Sequence, residues 1–186
     1  VSLVVYAGAS GVVLEPTAGS EQDRILAALE RLSAGGSTHG AAGIDLAYQV
    51  AQSAFIPGGI NRVLLATDGD FNVGITRFET LKNMIERKRA TGISLSTLGF
   101  GTGNFNDHLR EQLAEVGNGN YSYIDTLNEG RKVLIDEFTS PLATIATDVK
   151  VHIEFNPARV AEYRLIGYEH RALRRDVVGQ RDGALG

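Results

Sequence analysis

The stretch RVLLATDGD, residues 62–70, decides the fold of this chain. It is continuously apolar after Arg62, which predicts a buried β-strand that is covered on both faces of a sheet. The strand ends in Asp68, and a glycine and Asp70 follow on a tight turn. In an open α/β sheet, ligands bind at the edge formed by the carboxyl ends of the strands. The stretch therefore predicts a carboxylate ligand at that edge.

A second oxygen ligand is predicted in the glycine-rich loop GGSTHG, residues 35–40, where Thr38 precedes a helix. An aspartate and a threonine suit Mg²⁺ or a similar hard cation, because such ions take oxygen ligands. Each residue also has a purely structural interpretation, since Asp68 could cap a turn and Thr38 could cap the helix. The buried strand before Asp68 and the glycines around Thr38 favour the metal-ligand interpretation. Asp70 and Asn72 are candidates for orienting those ligands through hydrogen bonds.

The composition excludes several classes of protein. The chain has 186 residues, which suits one domain or one domain with a partial second. Hydrophobic residues make up 43% of it, which is enough to build a core. The formal net charge of −4 argues against nucleic-acid binding, and the absence of cysteine excludes disulfides and thiolate metal sites. No apolar stretch approaches the roughly 20 residues that span a bilayer, so this segment is not expected to insert into a membrane.

The first third of the chain is predicted to contain a β-hairpin and two helices. Residues 1–6 and 11–15 are β-rich and are separated by a turn. The sequence SEQD, residues 20–23, resembles a helix-capping box and precedes apolar residues at helical spacing. A second helix is predicted over residues 39–55, with a buried stripe that consists of Ile44, Ala47, Tyr48, Ala51 and Phe55.

Strands and helices then alternate as far as residue 138. Apolar runs predict strands over residues 62–67, 93–100 and 121–124, and helices that begin near Thr76, Phe105 and Thr126. Such alternation implies right-handed crossovers and a mainly parallel sheet. The predicted fold class is therefore α/β, with a doubly wound, mostly parallel sheet and one antiparallel edge hairpin strand.

The pattern changes after Pro141. Apolar and polar residues alternate over residues 149–155, which predicts a half-buried β-strand. A turn at Asn156 and Pro157 follows, and residues 160–168 are predicted to form a return strand. We therefore expect a β-rich module to begin here.

Four segments resemble the von Willebrand factor type A (VWA) domain family, in particular its bacterial members with a β-rich C-terminal extension. In the family's order, they are VSLVVYAGASGVVLEPT, GGSTHGAAGI, RVLLATDGDFNVG and LGFGTGN. The resemblance covers residues 1–145 and implies a Rossmann-like domain that lacks its first, central strand and its first helix here. Residues 146–186 would then be the start of the extension and a tail.

The resemblance also implies a metal-ion-dependent adhesion site (MIDAS), which takes its ligands from three loops. By position, Thr38 is the threonine of the second loop and Asp68 is the aspartate of the third, while the Asp-x-Ser-x-Ser sequence of the first loop is missing. The implied ion is Mg²⁺, or else Mn²⁺ or Ca²⁺, and its binding to these residues alone is expected to be weak or absent. Without its neighbouring strand, the segment 62–67 is expected to be poorly stable or to pair with another chain.

The implied function is a non-catalytic, adhesion-type interaction in which the cation binds an acidic side chain of a partner protein. The alternatives are a metal-assisted hydrolase or phosphatase that uses Asp68 and Asp70, and a structural domain with a vestigial site. Residues 1–6 read as a strand entered in progress, which predicts that the chain is an internal segment of a longer protein. Related bacterial proteins are often exported, so we expect the cell envelope or its periplasmic side as the location, with any targeting segment outside this chain.

Overall fold

The computed structural model describes residues 1–6, 10–33, 35, 40–67, 78–100, 107–136 and 151–164. The chain divides into two compact units, Val1–Ala143 and Thr144–Gly186. Helices and strands of the described residues all belong to the first unit.

The first unit alternates strands and helices in the order that the sequence predicts. The elements are β1 (Leu3–Val5), β2 (Gly11–Leu14), α1 (Gln22–Glu30), α2 (Gly40–Ser53), β3 (Arg62–Thr67), α3 (Phe78–Arg89), β4 (Ser94–Phe100), α4 (Asp107–Val116), β5 (Tyr121–Ile124) and α5 (Leu127–Arg131), which continues into a π-helical turn (Lys132–Asp136). The α/β fold class is confirmed.

Strands β3, β4 and β5 form a parallel sheet in that order. The main-chain N–H of Ser94 donates to the carbonyl of Asn61 over 3.1 Å, and the N–H of Leu95 donates to the carbonyl of Gly117 over 2.8 Å. Successive residues of β4 therefore bond alternately to β3 and to the β5 side. Strands β1 and β2 pair antiparallel as predicted, but among the described residues they form a separate two-stranded sheet.

Helices α2, α3 and α4 pack on one face of the parallel sheet, which we call the first face. Its core consists of Ile44, Tyr48, Val63, Leu65, Leu81, Ile85, Ile93, Leu95 and Leu113. The predicted stripe of α2 is confirmed, because its other three members, Ala47, Ala51 and Phe55, are partly buried against this core.

The expectation that β3 is covered on both faces is wrong for the described structure. Val63 and Leu65 are buried on the first face, whereas Leu64 is 42% exposed and Ala66 is exposed on the opposite, second face. The second face has only a small buried cluster, which consists of Leu98, Ile124 and Val133. This cluster lies on β4, β5 and the π-helical turn, so it leaves β3 open on that side.

The capping prediction fails at one helix and succeeds at another. Helix α1 begins after Glu21, which makes no side-chain cap hydrogen bond, so the predicted box at residues 20–23 is not formed. The only buried residue of α1 is Ala28. Helix α5 begins as predicted, because Thr126 Oγ1 accepts a hydrogen bond from the N–H of Glu129 over 3.2 Å.

The second unit departs from its predicted strands over the part that is described. Residues 151–155 form no strand, and Val151 and Ile153 are 80% and 66% exposed. A strand needs a neighbouring strand to pair its main chain, and the alternating pattern supplies none by itself. The predicted turn does form, since Asn156 Oδ1 accepts a hydrogen bond from the N–H of Ala158 over 2.9 Å. Residues 160–164 of the predicted return strand also form no strand.

One edge of β3 pairs with no strand of the described residues. Because Asn61 bonds to β4, the N–H and C=O groups of Arg62, Leu64 and Ala66 point to the other side. Tyr6 covers part of this edge, because its hydroxyl donates to the carbonyl of Ala66 over 2.5 Å. The edge at Leu64 presents main-chain groups that another strand could pair with.

We expect Gly119→Ala to lower the free energy of unfolding by roughly 1–3 kcal/mol. A Cβ at this position would overlap the carbonyl group of Leu95 and lie 2.7 Å from Ser96 Oγ, so the main chain of β4 would have to move. Urea unfolding measures the loss. Gly19→Ala is the control, because a Cβ at Gly19 would meet nothing within 4 Å. Equal losses in the two variants would contradict the packing described here.

We expect Leu64→Lys to reduce self-association of the chain, because a charge beside an open strand edge discourages pairing with a second strand. Sedimentation velocity over a series of concentrations measures the effect. Leu26→Lys is the control, because it replaces a leucine that is 55% exposed on helix α1 and belongs to no strand. It measures the general effect of replacing an exposed apolar side chain by a charged one. Equal reductions in both variants would rule out the edge as the cause.

Candidate functional site

The four residues of the predicted metal site, Thr38, Asp68, Asp70 and Asn72, lie outside the described residues. The structure does describe the elements that flank them. Asp68 directly follows the last residue of β3, and Thr38 precedes the start of α2 by two positions. Helix α2 and strand β3 are therefore the described elements that adjoin the predicted ligands in sequence.

Helix α2 begins near the edge of the sheet at which β3 ends. Its connection to β3 is short, and Asn61 ties it down, because the side-chain amide of Asn61 bonds both the N–H and the C=O of Ile56 over 2.9 Å. This connection lies at the amino ends of the strands. The first turn of α2 therefore lies toward their carboxyl ends, at the side that we call the carboxyl edge.

Tyr6 links the first turns of α2 to the end of β3. A Cβ on Gly43 would lie 2.9 Å from Cγ of Tyr6, so the helix and the tyrosine are in close contact. The hydroxyl of the same tyrosine donates to the carbonyl of Ala66. Gly43 is five positions after Thr38, and Ala66 is two positions before Asp68. One side chain thus brings together the two segments from which the predicted ligands emerge.

The aspartate of α2 is engaged elsewhere. Asp45 binds Nζ of Lys88 on α3 over 2.7 Å and accepts a hydrogen bond from Gln49 over 2.6 Å. The Lys88 hydrogen bond lowers the pKa of this carboxyl below its ordinary value, and partial burial opposes the shift. Asp45 therefore joins helices α2 and α3.

Within the described residues, no group of three or more histidine, cysteine, aspartate or glutamate side chains could hold a metal ion. Across the helices that the structure describes, none combines the length and the apolarity that crossing a membrane requires.

Arg110 is a feature that the sequence analysis missed. It lies on α4, is 1% exposed and has the largest fully buried side chain among the described residues. A Cβ on Gly99 of β4 would lie 3.2 Å from Cζ of Arg110 and overlap its Nη1. A glycine inside a strand often marks such a close approach, so Gly99 was the available signal.

Comparison of sequences gives two family matches. The model described as von Willebrand factor type A domain matches residues 1–136, and the model described as uncharacterized protein YfbK, C-terminal, matches residues 140–180. The chain is 54% identical over 174 residues to the uncharacterized protein YfbK of Escherichia coli strain K12. That match covers 94% of this chain and 30% of the relative, so the chain spans less than a third of the curated relative's length.

Solved structures show the same fold at low sequence identity. The VWA domain of SpRpn10 superposes with a TM-score of 0.59 and 12% identity, over 78% of this chain and 75% of that one. The proximal thread matrix protein 1 from the mussel byssus, in a form with a zinc-occupied MIDAS motif, has a TM-score of 0.57 and 16% identity. The superposition covers 74% of this chain and 35% of the byssus protein's chain. These similarities confirm the fold.

We expect Asp45→Asn to destabilise the chain at pH 7 by less than about 1 kcal/mol, because the ion pair with Lys88 is partly exposed. A carboxyl with a lowered pKa stabilises the folded state above its unfolded pKa, and the benefit is lost as the pH falls through the folded value. The difference from the wild type should therefore disappear in strong acid. Urea unfolding between pH 7 and pH 2 measures it.

Glu21→Gln is the matched control, because the pair of Glu21 with Arg24 is longer, at 3.4 Å, and more exposed. A loss in Asp45→Asn that persists unchanged to pH 2 would show that the carboxylate charge is not its source.

Proposed function

Because this chain belongs to the von Willebrand factor type A domain family, we propose that it is a non-catalytic interaction domain that binds an acidic side chain of a partner protein through a divalent cation. Thr38 and Asp68 are the proposed ligands of that cation. VWA domains are generally non-catalytic and mediate protein–protein interaction, which supports the general class.

The contact of Tyr6 with Gly43 and Ala66 is the observation that carries the proposal. It ties α2 to β3 close to the points where the chain leads to Thr38 and from β3 into Asp68. An aspartate carboxylate and a threonine hydroxyl supply the hard oxygen donors that Mg²⁺, Mn²⁺ or Ca²⁺ prefer. The donor chemistry thus fits such an ion.

The two ligands differ in what they do to the charge of the site. Asp68 contributes a negative charge, whereas Thr38 would coordinate through a neutral oxygen. A bound cation therefore keeps most of its charge and can attract a carboxylate that another protein supplies. Asp70 and Asn72, which follow closely in sequence, are proposed to orient the ligands by hydrogen bonds. The structurally similar byssus protein with a zinc-occupied MIDAS motif supports the view that this fold can hold a divalent ion.

We expect Mn²⁺ to bind this chain weakly at one site and Asp68→Asn to weaken that binding by roughly tenfold or more. Paramagnetic broadening of backbone amide signals during a Mn²⁺ titration detects even weak binding. Thr38→Val should also weaken binding, because it removes the hydroxyl and keeps the shape of the side chain. Amides at the end of β3 and the start of α2 should broaden first.

Asp125→Asn provides the matched control, because Asp125 also follows directly on a strand of the same sheet, β5, and is exposed. It should leave the titration unchanged. A wild-type chain that shows no localised broadening, or an Asp68→Asn variant that broadens like the wild type, would overturn the proposed site.

A further inference from the structure

Helix α1 carries three exposed leucines in a row. Leu26 and Leu29 are 55% and 43% exposed, and Leu32, two positions after the helix ends, is 41% exposed. The N–H of Leu32 donates to the carbonyl of Leu29 over 3.0 Å, so the last turn tightens and continues the row at a spacing of three residues. Residues three apart are neighbours on a helix surface, so these side chains form one apolar strip, which we call the leucine row.

The leucine row is not the side by which α1 packs on the rest of the domain. Helix α1 contacts β2, and Ala28 is its only buried residue. Leu26 and Leu29 lie two and one positions from Ala28, and residues at that spacing do not share a helix face. The two leucines therefore add a second apolar side to a helix that is already packed through another.

Two carboxylates border the leucine row. Asp23 precedes Leu26 by three positions and Glu30 follows it by four, so both are its neighbours on the helix surface. They are seven residues apart, which is about 10 Å along the helix axis. Both residues are exposed, and within the part of the chain that the structure describes neither side chain has an ion-pair or hydrogen-bond partner.

Helix stability does not explain the position of Glu30. It is the last residue of α1, at the negative end of the helix dipole, where a carboxylate is unfavourable. Its charge instead extends the acidic border that Asp23 begins.

The arginines of α1 lie on a different side and bond within their own helix and its first turn. Arg24 pairs with Glu21 over 3.4 Å, and Nε of Arg31 donates to the carbonyl of Ala27 over 3.1 Å. Neither arginine is three or four positions from a leucine of the row. The charge next to the row is therefore negative.

We propose that the leucine row of α1 docks a helix of another protein, whose apolar stripe is bordered by lysine or arginine residues at seven-residue spacing. An amphipathic helix repeats its apolar residues at the three- and four-residue spacing that the row can receive. Basic side chains seven residues apart would reach both Asp23 and Glu30. This surface consists of α1 alone, so it is separate from the proposed metal site.

Charge makes the other two occupants poorer fits. A two-fold symmetric interface brings the same patch of two copies together, so two antiparallel α1 helices would place Asp23 and Glu30 beside the same carboxylates of the second copy. Such a juxtaposition of like charges is unfavourable. Helices that lie on membranes carry lysine and arginine beside their apolar face, because the lipid surface is negative. The acidic border of α1 has the opposite sign.

Fluorescence anisotropy with two labelled peptides tests the proposal on the whole chain in the presence of EDTA. Both peptides are about 18 residues long, so that they can form a helix, and both carry a leucine stripe. Lysines border the stripe in one peptide, and glutamates replace them in the other. We expect the lysine peptide to bind at least about tenfold more tightly, and added salt to reduce this difference. The double variant Asp23→Lys, Glu30→Lys should reverse the preference.

Leu29→Ser should weaken binding of the lysine peptide by at least about tenfold, because it removes the centre of the row. Leu127→Ser is the matched control, because Leu127 is a leucine of α5 that is 87% exposed, and it should leave the affinity unchanged. A second measurement needs no variant: the amide signals of residues 22–33 should shift first when the lysine peptide is added to the wild-type chain.

Four results would overturn the proposal: no binding of either peptide, equal affinity for both, an unreversed preference in the double variant, or equal losses in Leu29→Ser and Leu127→Ser. Binding to phosphatidylglycerol vesicles that Leu29→Ser abolishes would assign the row to a membrane instead. Dimers in sedimentation velocity that the same variant dissolves would assign it to a second copy. Since EDTA removes metal ions throughout, each of these outcomes is independent of the Mn²⁺ titration.

Discussion

The parallel register between β3 and β4 is the constraint on which the rest of this structure depends. The bond from the N–H of Ser94 to the carbonyl of Asn61 sets that register, and it places Thr67 beside Gly99 at the carboxyl edge. A slip by one residue would turn Val63 and Leu65 away from the core, so the buried first face holds the register in place. This one pairing sets where the chain leaves β3, and it also sets the position of Gly99, against which the buried Arg110 lies.

Much of this framework could be predicted because its signals are local. Strand β3 has the predicted bounds, since its apolar run begins directly after Arg62 and stops before Asp68. The helix at Thr126 begins with a hydroxyl that caps a main-chain N–H three positions later, an interaction confined to one turn. The stripe of α2 follows from helical spacing, and its central residue Tyr48 is 1% exposed.

The errors arose where structure depends on a neighbour that local sequence does not specify. The apolar run of β3 predicted two covered faces, but which face is covered depends on where the helices pack, and Leu64 remains exposed. Residues 151–155 have the alternation of a strand and still form none, because pairing requires a second segment. The ligand types at Thr38 and Asp68 could be proposed from their chemistry. The link through Tyr6 could not, because it joins residues 60 positions apart in the sequence. Gly99 signalled a close approach to β4, but it did not identify Arg110, because arginine side chains are mostly exposed.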